Sequence, residues 1–442
     1  MDEKAVRLKV RQRLDRLVEE AFEREPFPST IDQIEALAVA LGNRAKQEIA
    51  CELVEAQVDP AKPEDEPTAS KWMCSCGRWA RYKDENDHDI VSMAGVLRVV
   101  RSYYYCRRCD RGFCPLDKKL GLTASSFTLA VQQEVVEMDG DLAFAPAVRK
   151  LERLTGVSVS AKEAQRMLTD CKRVLDAYLE EREAEAFDPK AAPPSIKPDV
   201  LYVEADGVHT PLTDGWKETK VGLARAVDSS GEVMGSTQYV SHLGDCHKFG
   251  DAWYALAHHS GLLKANLVVA IGDGAAWIWN QVAHHFPNAI EILDYWHAVE
   301  HIWDLAHPAY GVDSLEARVF VTARKNELWA ADWPAFYQGL ASLTEGRSDL
   351  SKLANETAGY FKNNQSRMDY SRYKRLGLSI GSGPAESGCK QIVTQRLKGA
   401  GMRWKEGNAQ AIGQVRCLLK SDRWDAFRAF WRNRHLAAVL SP

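Results

Sequence analysis

The order of apolar segments after residue 195 constrains the fold most strongly. Three strand-like segments come first, and strand-like and helix-like segments then alternate to about residue 307. Continuous or period-two apolar character predicts the strands, and three- and four-residue spacing predicts the helices. The strand-like segments are DVLYVEAD, TKVGLARAV, GSTQYVSHL, NLVVAIGD and AIEILD. Together with the helices between them, they predict a mixed α/β layered domain.

Two acidic residues end strand-like segments, and a third opens a later helix. Asp206 ends the first segment, Asp273 ends the fourth, and Glu386 follows the helix-starting sequence GSGP. In an open α/β sheet the carboxyl ends of the strands face the ligand crevice, and the first and fourth strands can be neighbours. Taken singly, each residue is explained as a helix cap or a turn residue. Together they predict a site for paired Mg²⁺ or Mn²⁺ ions that serves phosphoryl transfer at a nucleic-acid backbone.

A small module between residues 69 and 121 is rich in cysteine. It contains Cys74, Cys76, Cys106, Cys109 and Cys114. The third and fourth have the two-residue spacing of a zinc half-site, the first pair is one residue shorter, and Cys114 could replace one ligand. The segment IVSMAGVLRVVRSYYY predicts two short strands with a turn at Ala94 and Gly95. A unit of about 45 residues has little core, so we predict a structural Zn²⁺ rather than five reduced cysteines.

Composition excludes a membrane protein. No run of about 18 apolar residues occurs, and the charged start MDEKAVRLKVRQ lacks the apolar stretch of a signal peptide. We therefore expect a cytoplasmic protein with reduced cysteines. The net charge is −4, yet the stretch from Gly388 to Pro442 holds eleven Lys and Arg against three Asp and Glu. This local excess of positive charge favours contact with phosphate groups.

Helical segments and linkers complete the predicted organisation. The Pro-rich stretches DPAKPEDEPTAS and FDPKAAPPSIKPD predict linkers. We predict six regions, with bounds read from these composition changes. They are an N-terminal helical segment (1–68), a zinc-ribbon-like module (69–121), a helical region (122–187), the first part of the catalytic core (196–307), a helical insertion (308–370) and the second part of the core with a basic tail (371–442).

Several of these segments resemble one family of enzymes. YVEADGVHTPL, VVAIGDGAAWIW, EILDYWHAVEHIW and GSGPAESGCKQIVTQRLKGAGMRW are similar to the RNase H-like DDE transposases of the Mutator superfamily. The closer similarity is to bacterial insertion-sequence transposases of the ISKra type. The cysteine-rich segment YYCRRCDRGFCPLD resembles the same family, so the resemblance spans roughly residues 70 to 420.

The resemblance implies an RNase H-like mixed sheet with a helical insertion before the final glutamate. It assigns Asp206, Asp273 and Glu386 as the catalytic metal ligands, with the insertion in the 113-residue step between the last two. It also places Asp294 and His297, a D-x-x-H step, near the active site. The alternative for that pair is a capping aspartate with a buried, hydrogen-bonded histidine.

Three basic regions are candidates for DNA contact. Residues 141–170 form either a helix–turn–helix that presents Lys162 and Arg166 or a plain helical hairpin. The cysteine module carries Arg78, Arg101, Arg107, Arg108 and Arg111. After the final glutamate, phosphate contacts are predicted for Lys390, Arg396, Lys398 and Arg403. The aromatic residues interleaved farther along, Trp424, Phe427 and Trp431, have helical spacing and are expected in the core.

The expected function is that of a DNA transposase that cuts element ends and joins them to target DNA. Because two ends are handled at once, we expect at least a homodimer, and a location at the bacterial nucleoid. Two alternatives remain. One is a transposase-derived DNA-binding protein without catalysis, and the other is a zinc-ribbon nuclease that cuts DNA without joining it.

Overall fold

The computed structural model of the chain describes residues 3–24, 27–57, 71–344 and 347–440. The acidic linker predicted at residues 59–70 lies outside these ranges. The chain divides into two compact units, one of Met1–Val174 with Asp425–Pro442 and the other of Leu175–Trp424. Within the described ranges, no helix combines the length and the apolar character that crossing a membrane requires.

The first unit begins with two helices that pack against each other, α1 (Glu3–Arg24) and α2 (Ile31–Glu55). Thr30 caps α2 in a capping box, which satisfies backbone N–H groups that the first helical turn leaves unpaired. Arg13 of α1 forms ion pairs with Glu48, Glu52 and Glu55 of α2. The presence of α1 and α2 confirms the predicted N-terminal helices.

The cysteine module is an antiparallel sheet of four strands in chain order, β1 (Lys71–Met73), β2 (Trp79–Ser92), β3 (Gly95–Cys106) and β4 (Arg111–Phe113). The central hairpin is longer than predicted, and its turn lies one residue earlier, at Met93 and Ala94. The Ser92 hydroxyl closes this turn by donating to the Gly95 carbonyl oxygen at 2.8 Å. Gly95 has φ +120°, a conformation that L side chains rarely adopt.

Helices make up the rest of the first unit. They are α3 (Pro115–Leu120), α4 (Leu129–Asp141), α5 (Phe144–Thr155), the first part of α6 (Ala161–Phe187) and α17 (Trp424–Leu440). Gly156 ends α5 in the left-handed conformation, at φ +72°. Phe427 and Trp431 of α17 are buried, as expected. Arg428 pairs with Glu134 at 2.8 Å and thereby joins α17 to α4.

The second unit is built on a five-stranded mixed sheet. Its strands are β5 (Val200–Leu212), β6 (Gly215–Val227), β7 (Gln238–Leu243), β8 (Leu267–Gly272) and β9 (Ile290–Leu293). Their order is β7-β6-β5-β8-β9, with antiparallel pairs on the β7 side and parallel pairs from β5 to β9. The five predicted strands and the predicted adjacency of the first and fourth are confirmed, and so is the mixed α/β class.

Helices follow the strands of this unit as predicted. They are α7 (Cys246–His259), α8 (Ala276–His285) and α9 (Tyr295–Tyr310). The region 308–370 is largely helical and holds α10 (Leu315–Ala330), α11 (Trp333–Ser342), α12 (Ser348–Asn364) and the start of α13 (Tyr370–Arg375). The apolar core runs through the sheet and these helices, with Phe249, Trp253 and Phe361 fully buried.

The segment after residue 380 holds α14 (Gly383–Cys389), a π-helical turn (Lys390–Thr394), α15 (Gln395–Leu397) and α16 (Glu406–Lys420). The sheet is contacted by α14, the π-helical turn and α16. The helix α14, the π-helical turn and α15 follow one another without a break, in agreement with the predicted helix to about Lys398. The π-helical turn was not predicted. Such turns are local insertions in a helix and occur often at functional sites.

Candidate active site and cysteine cluster

Asp206 and Asp273 lie side by side where a parallel strand pair ends. Ala205 opposite Gly272 is the last pair between β5 and β8, and the two aspartates are the next residues. Asp273 directly follows its strand, as predicted. β5 instead continues to Leu212, because its hairpin with β6 is longer than the parallel ladder. The prediction that Asp206 ends its strand is therefore wrong, although it does mark the end of the parallel pairing.

The turn after β8 fixes Asp273. Its Oδ1 accepts a hydrogen bond from the backbone N–H of Ala275 at 2.8 Å, and its carbonyl oxygen accepts one from the indole N–H of Trp279 at 2.9 Å. The neighbouring Gly274 lies against Tyr360 of α12, where an added Cβ would come within 2.1 Å of the ring. Glycine at this position therefore allows α12 to pack on the turn.

Burial and a neighbouring negative charge both favour the protonated form of the Asp206 carboxyl group. Burial raises the pKa of its carboxyl group, and the charge of Asp273 raises it further. Hydrogen bonds from the Gly207 N–H and the Cys389 thiol oppose this rise, as does His297. Two adjacent carboxylates with little positive charge around them favour a divalent cation, and oxygen donors suit Mg²⁺.

Glu386 and His297 approach each other from two helices. The His297 Nε2 lies 3.8 Å from Oε1 of Glu386, and its Nδ1 lies 3.2 Å from Glu300 one turn later on α9. The side chain of Glu386 is 55% exposed and that of His297 is 33% exposed. His297 is thus not the buried residue of the alternative interpretation, and both groups can reach a ligand in solution.

Asp294 joins these two helices at their first turns. Its Oδ1 accepts from the N–H groups of Trp296 at 2.6 Å and His297 at 3.2 Å, so it caps α9. Its Oδ2 accepts from both the N–H and the hydroxyl of Ser382, which precedes α14, at 2.5 Å. Asp294 is fully buried, and the N–H of Tyr295 also donates to Ile380 at 2.9 Å. Asp294 therefore positions His297 relative to Glu386.

The predicted acidic residues form one neighbourhood but not one closed cage. Asp294, His297 and Glu386 each offer a ligand atom within 4.8 Å of the others. Within the described part of the chain, Asp206 and Asp273 stand outside that group. Their charges nevertheless act on shared neighbours, since Asp206, Asp273 and Glu386 all raise the pKa of Cys389.

Cys389 is the last residue of α14, the helix that carries Glu386, and its side chain contacts Asp206 of β5. Its thiol is buried and hydrogen-bonded to Asp206, and burial, followed by the charge of Asp206, raises its pKa well above the usual range. The thiol therefore stays protonated. It can donate to the Asp206 carboxylate and restrict the orientation of that group.

Glu204 is a buried acid that is not among the predicted residues. It precedes Asp206 by two positions, on the same face of β5, and lies 3.4 Å from Arg225. Burial raises its pKa to about 7, while Arg225 and the N–H of Ala385 in α14 act in the opposite direction. The sequence did contain a signal for Glu204, namely an acidic residue within an apolar strand segment. Charged side chains are rarely buried without a partner, so such a residue indicates a special environment.

The predicted cysteine ligands converge in the first unit. The Sγ atoms of Cys74 and Cys109 are 3.4 Å apart, those of Cys76 and Cys106 are 3.6 Å apart, and all four lie within 4.8 Å. Tetrahedral Zn–S bonds of about 2.3 Å would place sulphur atoms roughly 3.8 Å apart, so the four thiols fit a zinc ion. Cys114 lies outside this group and precedes α3, so it is not the replacement ligand that the spacing allowed.

Tight backbone turns bring the cysteines together despite the short first spacing. The N–H of Gly77 donates to the carbonyl oxygen of Cys74 at 2.9 Å, and Gly77 has φ +75°. In the second pair, backbone N–H groups, chiefly that of Cys109, lower the pKa of Cys106 to about 6, whereas the hydrogen bond with Cys74 raises the pKa of Cys109 to about 12. A lowered thiol pKa favours the thiolate, which is the form that binds metal.

The candidate DNA contacts of α6 are exposed. Lys162 and Arg166 face solvent near the start of this helix, and Arg166 pairs with Glu163. The preceding helix α5 ends at Gly156, so two helices and a short connection are present as predicted. This geometry is common to a helix–turn–helix and to a helical hairpin, and the two interpretations stay open.

The basic residues after Glu386 divide into two groups. Lys390, Lys398 and Arg403 are exposed and can reach a phosphate. Arg396 is only 2% exposed, and its guanidinium lies 4.9 Å from the centre of the Trp404 ring. The prediction that Arg396 contacts a phosphate is therefore wrong, because its charged group packs inside the unit.

Comparison with known families gives one match. The model of a family described as an uncharacterised protein family, UPF0236, matches residues 73–310. The matched segment includes the cysteine cluster, both strand aspartates and the Asp294–His297 step, and it ends before Glu386. No curated protein matches the chain.

Proposed function

The chain belongs to the uncharacterised protein family UPF0236, and we propose that it is a DDE transposase of the ISKra insertion-sequence type. The observation that carries this proposal is the placement of the acidic residues. Asp206 and Asp273 follow the last pair of β5 and β8, and Asp206 hydrogen-bonds Cys389 on the helix that carries Glu386. The helices α10 to α13 lie between Asp273 and Glu386, as in a DDE core with an insertion.

The carboxylates of Asp206, Asp273 and Glu386 would hold two Mg²⁺ or Mn²⁺ ions. Oxygen ligands suit both ions, and the like charges of the two aspartates would be offset by them. When bound, the ions would activate the attacking water or 3′-hydroxyl and stabilise the leaving oxygen. The same site would thus serve cleavage at the element ends and joining to target DNA.

The surrounding residues hold these ligands in place. Asp294 fixes the first turns of α9 and α14, while the Cys389 thiol restricts the Asp206 carboxylate. The His297 ring lies between two carboxylates, with Nε2 3.8 Å from Glu386 and Nδ1 3.2 Å from Glu300. We assign it a positioning role toward Glu386.

The proposal also includes a structural zinc ion and DNA as the binding partner. Cys74, Cys76, Cys106 and Cys109 would hold one structural Zn²⁺. The exposed cations Lys390, Lys398 and Arg403 would contact DNA phosphates beside the acidic site. Because such an enzyme acts on two element ends, it would work as a homodimer or larger assembly at the nucleoid.

A strand-transfer assay tests the proposal. The full chain is incubated with Mg²⁺, a plasmid that carries the DNA flanking its gene, and a target plasmid. Asp206→Asn, Asp273→Asn and Glu386→Gln should each lower cleavage by at least about 10³-fold, since a bound ion contributes several kcal/mol. Binding to the element ends should persist. The matched control is Glu356→Gln, an exposed acid of α12, which should cleave normally.

Each outcome separates the candidate functions. Joined products that require Mg²⁺ support the transposase. Cleavage without joining would assign a nuclease, and bound but uncut DNA would assign a DNA-binding protein without catalysis. A triad variant that cleaves at the wild-type rate would remove that residue from the metal-binding set.

A further inference from the structure

The β2–β3 hairpin presents an aromatic and basic face beside the cysteine cluster. Alternation along β2 places Ala80 and Tyr82 on one face and Trp79 and Arg81 on the other. Ala80 is fully buried in the small core, whereas Trp79 is 62% exposed. Tyr105 stands opposite Arg81 in the β2–β3 register and extends this outer face.

Arginines from both cysteine turns border the same face. They enclose a shallow concavity of about 410 Å³ that we name the arginine concavity. Its lining is formed by Arg78, Trp79, Arg81, Tyr105, Arg107 and Arg108, together with the buried Cys106. The cysteine turns therefore fix the backbone positions of Arg78, Arg107 and Arg108, whose side chains reach into solvent.

The positive charge of this concavity is only partly compensated. In the described part of the chain, none of its four arginines forms an ion pair, whereas Arg98 and Arg101 of the same hairpin pair with Asp87 and Asp117. The nearby Asp110 accepts a hydrogen bond from the Tyr105 hydroxyl. Four thiolates around one divalent cation carry a net charge of −2, which the four guanidinium groups exceed. A positive surface with an open indole remains.

We propose that the arginine concavity binds an unpaired segment of a DNA strand, with one base stacked on Trp79 and phosphates held by the arginines. Surfaces of this composition bind single strands, because an exposed ring stacks on a free base and the cations track the backbone. Bases inside a duplex are covered by their neighbours and cannot use the indole. This inference rests on the proposed function, since it takes DNA as the partner, and it names the unpaired nucleotides of that DNA as the ligand.

Anisotropy of labelled DNA measures this binding. The probes are a 20-nucleotide single strand of mixed sequence, its blunt duplex and the matching RNA, each titrated with the full chain without Mg²⁺ at several salt concentrations. Trp79→Ala should weaken single-strand binding about 5- to 150-fold, the range for loss of one stacked base. The log–log salt slope should not change. Trp79→Phe should retain most of the affinity.

Arginine variants and a neutral control complete the design. Arg78→Gln with Arg108→Gln should lower the single-strand salt slope by about 0.7 for each lost phosphate contact. Val96→Ala, an apolar residue of the same hairpin that is 47% exposed, should bind as the wild type does. Each variant must retain its bound metal. Exposed side chains were chosen so that the module stays folded.

The outcomes distinguish this inference from the proposed function. It is overturned if Trp79→Ala binds the single strand like the wild type, if duplex affinity falls equally, or if RNA binds more tightly than DNA. If strand transfer occurs and Trp79→Ala has no effect, only this inference falls. If no cleavage occurs and Trp79→Ala still weakens single-strand binding, the surface stands and the catalytic proposal falls.

Discussion

The two candidate metal sites depend on their surroundings in opposite ways. Around the cysteine cluster, the buried apolar group of the described chain is small, and two of its members, Cys74 and Cys106, are themselves candidate ligands. Asp206 and Asp273 instead lie on a sheet whose core extends through β5, β8, β9 and the helices from α7 to α13. We infer that the metal holds the fold in the first region, and that the fold holds the metal in the second.

Removal of the cysteine metal is expected to have the largest effect. Cys106→Ser or chelation should reduce bound zinc from about one ion per chain to none and unfold residues 71–113. Structural zinc contributes roughly 10–16 kcal/mol in small zinc peptides, and little core is present here to replace it. Hydrogen exchange compared with metal analysis checks this, because protection should disappear from β1 to β4 and persist in β5 to β9.

Cys114→Ser is the control for this experiment. Cys114 is buried but stands outside the cluster, so its variant should keep the metal and the exchange protection of the module. A Cys106→Ser protein that lost zinc yet kept full protection in β2 and β3 would contradict the comparison.

Two substitutions at the acidic site should have different effects on stability and the same effect on cleavage. Asp294→Ala removes an acceptor of four hydrogen bonds at a fully buried position and should lower the free energy of unfolding by about 3 kcal/mol. Asp206→Asn removes a partly buried charge next to Asp273 and should not destabilise the metal-free protein. Both should abolish Mg²⁺-dependent cleavage. Urea unfolding together with the cleavage assay measures the two effects.

Equal destabilisation by both variants would show that the site supports the fold, against the comparison drawn here. Asp294→Asn provides a graded control. Its amide oxygen can still cap α9, but its amide nitrogen would face the two donors of Ser382. Its loss of stability should therefore fall between those of the wild type and Asp294→Ala.

The raised pKa of Glu204 predicts a smaller effect in the same region, a dependence of stability on pH. Burial raises its pKa from the ordinary 4.5 of a glutamate to about 7 in the folded protein. The folded state thus retains a proton that the unfolded chain has released. The stabilisation is fully present below pH 4.5 and is lost as the pH rises through about 7. The loss is at most about 3 kcal/mol.

Glu204→Gln should remove this contribution and flatten the pH dependence. Urea unfolding at pH 5 and pH 8 compares the variant with the wild type, and Glu356→Gln on the surface is the control. If wild type and Glu204→Gln lose the same stability between these pH values, Glu204 is ionised in the folded protein and compensated by Arg225.

Local patterns in the sequence predicted much of both regions. Apolar periodicity located the five strands, and cysteine spacing identified the four clustered thiols. Both signals depend on residues close together in the chain. The adjacency of Asp206 and Asp273 was predicted as well, because the strand order of an α/β sheet limits which strand ends can meet.

Contacts that the local sequence pattern does not encode account for what was missed. The length of β5 depends on its pairing with β6, so Asp206 lies inside a strand. Asp294 bonds Ser382, which is 88 positions away, and neither residue shows this in its local sequence. Arg396 has the sequence context of an exposed cation, and only the packing of Trp404 reveals its burial.

The smallest expected effect concerns the exposed basic residues after Glu386. The buried Arg396 provides the control. Lys390→Gln, Lys398→Gln and Arg403→Gln should weaken binding to any duplex, with each lost phosphate contact lowering the log–log salt slope by about 0.9. Discrimination between element ends and random DNA should stay nearly constant, because phosphate contacts carry no sequence information. Arg396→Gln should lower stability and leave the slope unchanged, since that side chain is buried. DNA binding measured across a salt series compares them. A loss of sequence preference with an unaltered slope would show that the exposed cations read bases, and a reduced slope for Arg396→Gln would show that its guanidinium reaches DNA.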